Sequence, residues 1–294
     1  MRAKACLNSV RNVMRCCMPE KEPRPTWHLT VAYAGTRYAG WQIQPDAKTV
    51  QGEIQRRLRH LFRDDELTIA GTSRTDAGVH ALDQHVSFRP SSTAEEAISP
   101  VRLAELLNRW LPEDIRILKA ALEPDNFHAR HSARAKAYTY ALRPGPCISP
   151  FESPFLWNAR YQLDLSRMQR AATHFCGEHD FAAFSAKPSR QPESTVRTIH
   201  RFEVLPRNGH IYINIIGDSF LYKMVRTLVG YLVLTVGRGP AWTEADANEL
   251  FISRKRPPHL QTAPSEGLFL ARVFFQDDER RGYSPVLPPQ HAFH

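Results

Sequence analysis

The sequence predicts an α+β fold: two α/β subdomains with largely antiparallel sheets. Three observations lead there. Apolar residues alternate at period two in short segments such as Trp27, Leu29, Val31 and Tyr33. Helical spacing with capping residues separates those segments, but without the strict strand–helix–strand beat of a parallel sheet. A hairpin signal, Pro206-Arg207-Asn208-Gly209, joins two adjacent candidate strands.

The elements follow in order. Residues 27–33 read as a strand with one buried face, followed by a loop over 34–47 carrying Gly35 and Gly40. Val50, Ile54, Leu58 and Leu61 predict a helix with Thr49 as its N-cap. Leu67–Gly71 and Gln84–Phe88 read as strands. Leu103, Leu106, Leu107 and Trp110 predict a helix starting at Ser99-Pro100. Ile115–Leu122 and Lys136–Leu142 are extended, and Leu165, Met168, Ala172 and Phe175 mark a helix after Asp164. Thr198–Leu205 and His210–Ile216 form the hairpin, and a long helix is expected from about Phe220 to Val236. A shorter helix begins near Thr243, and Leu268–Phe275 closes as a strand.

A chain of 294 residues suits two domains. The expected division is an extension over 1–25, domains over 26–125 and 126–275, and a flexible tail over 276–294. The extension carries Arg2, Lys4, Arg11 and Arg15 without an acid before Met18, which fits either a disordered arm or an organelle-targeting segment. No apolar run approaches the roughly 20 residues of a membrane-spanning helix. The formal net charge of +9 suits a polyanionic partner, although a merely basic protein has the same balance. Five cysteines, odd in number and without a CxxC pair, argue against a disulfide framework or zinc site. A reducing, cytoplasmic setting fits them. His128, His131, His174 and His179 lack zinc-motif spacing.

Chemistry concentrates in Gly71-Thr72-Ser73-Arg74-Thr75-Asp76-Ala77-Gly78-Val79-His80-Ala81. Small residues let a bulky ligand approach the backbone. A neighbouring cation favours the carboxylate form of an aspartate, which can serve as a nucleophile. The same residues also fit a plain Asp-capped turn.

The segment Ser73–Ala81 resembles the signature loop of the TruA family of tRNA pseudouridine synthases. The resemblance extends from about Thr26 to Phe275. It continues through Tyr38-Ala39-Gly40-Trp41-Gln42, Phe127-His128-Ala129-Arg130, Tyr138-Thr139-Tyr140 and Glu178-His179-Asp180-Phe181. It ends with Ser219-Phe220-Leu221-Tyr222-Lys223-Met224-Val225-Arg226 and Ala263-Pro264-Ser265-Glu266-Gly267-Leu268.

The resemblance implies the pseudouridine synthase fold with an RNA-binding cleft, and isomerisation of uridine in tRNA without a cofactor. It implies Asp76 as the catalytic residue and four substrate-binding residues. Arg74 assists extrusion of the target nucleotide, and Tyr138 packs on its base. Arg226 pairs with the carboxylate, and Leu268 lines the pocket. A buried strand tyrosine, a helix-capping arginine and an ordinary core leucine are the local alternatives. The resemblance further implies a homodimer acting on the anticodon stem-loop, at positions thirty-eight to forty. Glu266 stands where members often carry a small residue or His, and Lys187–Thr195 is a polar loop. An RNA-binding chaperone with an idle pocket is the competing class. A glycoside hydrolase would need a second carboxylate opposite Asp76.

Overall fold

The computed structural model describes residues 25–91, 98–186, 192–239 and 241–285. The expected extension lies outside these apart from residue 25. So do residues 187–191 of the polar loop and 286–294 of the expected tail.

Among the described residues, ten strands form one sheet. They are β1 (Thr26–Tyr33), β2 (Ile69–Gly71), β3 (His80–Phe88), β4 (Ile115–Glu123), β5 (Ala135–Arg143), β6 (Trp157–Asn158), β7 (Gly177–Asp180), β8 (Val196–Arg207), β9 (His210–Gly217) and β10 (Leu268–Phe274). The order along the main path is β4-β1-β3-β10-β5-β9-β8-β7, with β2 on β3 and β6 on β5. Every pairing is antiparallel except β3–β10 and β5–β6. The α+β class and the antiparallel character expected from the sequence are present, and strands from both halves of the chain join a single sheet.

The seam between the halves is the short parallel pairing of β10 with β3, where Phe269 faces His80 and Leu270 faces Ala81. β3 begins directly after the small-residue loop of the sequence motif. That loop therefore sits over the seam.

The helices are α1 (Val50–Phe62), α2 (Pro100–Trp110), α3 (Leu165–His174), α4 (Met224–Gly230) and α5 (Glu244–Ser253). Local chemistry sets several of their starts. The Thr49 hydroxyl accepts from Gly52 N, Ser99 from Arg102 N, and the Asp164 carboxylate from Arg167 N. Asp246 accepts from the Thr243 backbone N–H at 2.7 Å.

One buried cluster contains Leu29 and Val31 with Ile54, Leu58, Leu103 and Leu107, and also Ile213 and Ile215 with Met168, Leu228 and Val229. Helices of both halves thus pack on the same face of the sheet. The opposite face carries smaller clusters, one around Ala135, Ala137 and Phe274 and one around Tyr212 and Phe269. In the segment 276–285, Asp278–Arg280 forms a 3-10 turn and the Tyr283 ring packs edge-on against Phe274.

Two elements differ in extent from the sequence expectation. β3 starts at His80, four residues before the expected strand, because its first residues take their pairing from the distant β10. The expected long helix starts at Met224, since Lys223 adopts φ 59° and the chain turns there. Its second half, Tyr231–Gly237, is a π-helix. The motif Glu178-His179-Asp180 lies in the short strand β7, whose partner is β8. The hairpin between β8 and β9 turns at Asn208-Gly209, both at positive φ as a tight antiparallel connection requires.

Candidate active site

Asp76 lies in the loop between β2 and β3, and Arg226 in the first turn of α4. Arg226 Nη1 donates to Asp76 Oδ2 at 2.8 Å. The side chains are 14% and 16% exposed, so the pair is largely withdrawn from water without being sealed from it. Arg226 is itself held. Its Nε donates to Ala263 O at 2.9 Å, and Ala263 N returns a bond to Arg226 O at 2.9 Å. The Ala263–Leu268 segment thus orients the guanidinium.

The Asp76 loop is anchored residue by residue. Thr72 Oγ1 donates to Ala129 O at 2.9 Å, which ties the loop to the Phe127–Arg130 segment. Lys136 Nζ donates to Thr72 O at 3.1 Å, and burial lowers this ammonium to a pKa of about 8, with the Arg130 charge adding to the effect. Ser73 is bonded through both backbone groups to the Gln84 amide. Thr75 Oγ1 and Tyr33 Oη are 2.8 Å apart, and Trp41 N donates to Thr75 O at 3.0 Å. Gly40, at φ 96°, allows the opening loop to pass this close, because a Cβ there would stand 2.6 Å from Thr75 O.

Tyr138 lies on β5, facing Leu270 and Ile215 across its two ladders. Its hydroxyl donates to Ser73 Oγ at 3.2 Å, and its ring meets Phe220 edge-on at 5.2 Å between centroids. Burial pushes the phenol up to about 12; the nearby Asp76 charge adds to this and the Ser73 bond opposes it. Leu268 begins β10, is buried, and faces Tyr140. Tyr140 Oη donates to Pro264 O at 2.9 Å. Arg74 is exposed, two residues from Asp76 in the same loop.

Asp76, Arg226 and Tyr138 are therefore brought together from three separate segments. Leu268 lies on the strand next to Tyr138, and Arg74 reaches solvent two residues before Asp76. Gln84, Tyr33, Ser73, Lys136 and Phe220 complete the surroundings, and none has a role in the sequence reading. Gln84 had a legible signal: it is a polar residue in the inward register of β3, in line with Val86 and Phe88. Among the described residues, no group of three or more His, Cys, Asp or Glu side chains is disposed to hold a metal ion. Cys147 and Cys176 are free thiols. No helix of the described residues is long and apolar enough to cross a membrane.

The arrangement offers a carboxylate fixed by a guanidinium, beside a buried aromatic face, in a loop rich in small residues. Such a site can receive a planar base against a ring and present the carboxylate to an attached sugar.

Comparison with known proteins gives a consistent match. Residues 29–132 and 171–276 match the family model described as tRNA pseudouridine synthase. A Protochlamydia amoebophila protein named tRNA pseudouridine synthase A 1 is 38% identical over 256 residues, covering 86% of this chain and 97% of its own. A Thermodesulfovibrio yellowstonii protein named tRNA pseudouridine synthase A is 40% identical, covering 84% of this chain and 98% of its own. One from Ruminiclostridium cellulolyticum with the same name is 39% identical, with 84% and 98% covered.

Proposed function

The chain belongs to the tRNA pseudouridine synthase family, and on that premise we propose that it isomerises uridine to pseudouridine in tRNA, with Asp76 as the reacting carboxylate. The observation that carries this reading is the Asp76–Arg226 pair at 2.8 Å, joining loop and helix from opposite halves of the chain beside Tyr138.

In the reaction the C1′–N1 glycosidic bond breaks, the uracil rotates, and a C1′–C5 bond forms. The C5 proton leaves and N1 gains one, so composition is unchanged and no cofactor is needed. Asp76 serves either as nucleophile at C1′ or as base at C2′. Both routes need a positioned carboxylate and a flipped nucleotide, whose unstacking costs a few kcal/mol. Tyr138 offers a ring face against the flipped base, and stacking recovers part of that cost. Exposed Arg74 is suited to the vacated position or a flanking phosphate, and Leu268 to the wall of the pocket.

The finer reading is an anticodon stem-loop target at positions thirty-eight to forty, handled by a homodimer. It is supported by the family resemblance of the motifs. Residues 26–125 and 126–275 are read as the two domains, with the β3–β10 seam as their junction. A cytoplasmic setting is supported by the tRNA substrate and the free thiols. The test is incubation with unmodified tRNA and mapping of pseudouridine by base-specific chemistry, with Asp76→Asn as control. Binding of tRNA by the wild type without any pseudouridine would favour the chaperone class instead.

A further inference from the structure

Building on that reading, we infer that Gln84 is a positioning residue for the reaction, holding the Asp76 loop and Tyr138 in one frame through Ser73. Gln84 is fully buried on β3, facing Val31 across the ladder. A primary amide in an apolar register costs stability unless its polar atoms are bonded. Here they are. Gln84 Oε1 accepts from Ser73 N at 3.1 Å, and Nε2 donates to Ser73 O at 2.7 Å. The Tyr33 hydroxyl, on the neighbouring strand, lies 2.8 Å from Thr75 Oγ1 and holds the loop from a second side.

The need for this clamp follows from the strand pairing. β2 ends at Gly71, whose ladder partner is Val86. After Thr72, which still donates to His85 O, the backbone leaves the ladder. The Gln84 side chain takes over where the strand stops, binding both backbone groups of Ser73. One amide thus anchors Ser73, just before Arg74 and three residues before Asp76. Ser73 Oγ in turn receives the Tyr138 hydroxyl. Gln84 has no path to substrate, so its effect passes through these neighbours.

The test uses two variants of the full chain. Gln84→Met keeps length and apolar volume and removes every bond of the amide. Gln84→Glu keeps the acceptor but loses the donors while ionised; its protonated form restores one donor. Single-turnover pseudouridine formation on unmodified tRNA is measured below each variant's melting temperature, together with tRNA affinity. A displaced loop predicts a rate lower by about tenfold to a hundredfold in Gln84→Met with affinity unchanged. The Gln84→Glu rate, relative to wild type, should rise as pH falls from about 8 to about 6, since burial favours the protonated acid. A folded Gln84→Met enzyme with the wild-type rate and only a lower melting temperature overturns the inference. So does failure of both variants to fold, which would assign Gln84 to the fold alone. An inactive wild type would instead remove the functional reading, and this inference with it.

Discussion

Asp76 Oδ2 and Arg226 Nη1 meet at 2.8 Å although 150 positions separate them in the chain. The contact joins a loop of the first half to a helix of the second, and each partner is fixed independently by backbone bonds. Asp76→Asn retains the size and much of the hydrogen bonding of the side chain but removes its charge and nucleophilicity. It should abolish pseudouridine formation while leaving tRNA affinity intact or slightly raised, since a carboxylate repels phosphates. Yield, affinity and mass are measured on one preparation; full turnover without deamidation to Asp would overturn the catalytic assignment. Arg226→Leu should cost about 1–3 kcal/mol of stability, because it leaves a mostly buried carboxylate unpaired.

Tyr138→Phe preserves the ring against Phe220 and removes only the hydroxyl bonded to Ser73. Affinity for tRNA should be retained, with turnover lowered by about tenfold or more if the hydroxyl takes part in moving the C5 proton. Stopped-time assays under single-turnover conditions separate the two effects. A loss of affinity equal to the loss of rate would count against both the stacking and the proton-transfer roles.

His80 supplies a pH dependence. Its Nδ1 accepts from Gly35 N at 3.0 Å, which leaves Nε2 to donate to Glu266 O at 3.1 Å. The ring is therefore neutral, and burial lowers its pKa from 6.5 to about 4. The unfolded chain binds more protons between these two values, so stability is full above about pH 6.5 and falls as pH drops through 4. The loss attributable to His80 should be roughly 2–4 kcal/mol. Thermal melts of wild type and His80→Gln across this range test it: the difference between them should shrink on acidification. His28, also lowered by burial, adds to the wild-type slope in the same direction.

Gly40→Ala places a methyl group 2.6 Å from Thr75 O at φ 96°. The opening loop must then move away from the Asp76 loop. We expect a destabilisation of roughly 1–3 kcal/mol and a fall in turnover larger than that of a surface control such as Ile252→Ser. An unchanged melting temperature and rate would show that the close approach is dispensable.

Binding of tRNA by a chain of net charge +9 should rest largely on phosphate contacts. Counterion release then gives a steep linear fall of log affinity with log salt. Arg74→Ala should weaken binding and flatten the slope by about one unit if its guanidinium sits on a phosphate. A slope near zero for the wild type would contradict the electrostatic account.

The sequence by itself determined the local elements and pointed to the carboxylate proposed to react. Thr49, Ser99 and Asp164 cap their helices, Asn208-Gly209 turns its hairpin, and the inward residues of β1 are those of its alternation. These features arise within a few residues of chain, where sterics and hydrogen bonding leave a periodic trace. The small-residue motif around Asp76 fits a close ligand approach and a capped turn alike, and only its family resemblance singles out the carboxylate. The tertiary structure alone decided the parallel β3–β10 seam, the early start of β3, the turn at Lys223 that delays α4, and the amide clamp from Gln84 to Ser73. Pairing between segments far apart in the chain has no local periodicity. Its energy comes from groups that meet only after both halves have packed on one face of a shared sheet. The Asp76–Arg226 contact belongs to both accounts: family resemblance implied the pair, and the shared sheet supplies the physical reason that the two residues meet.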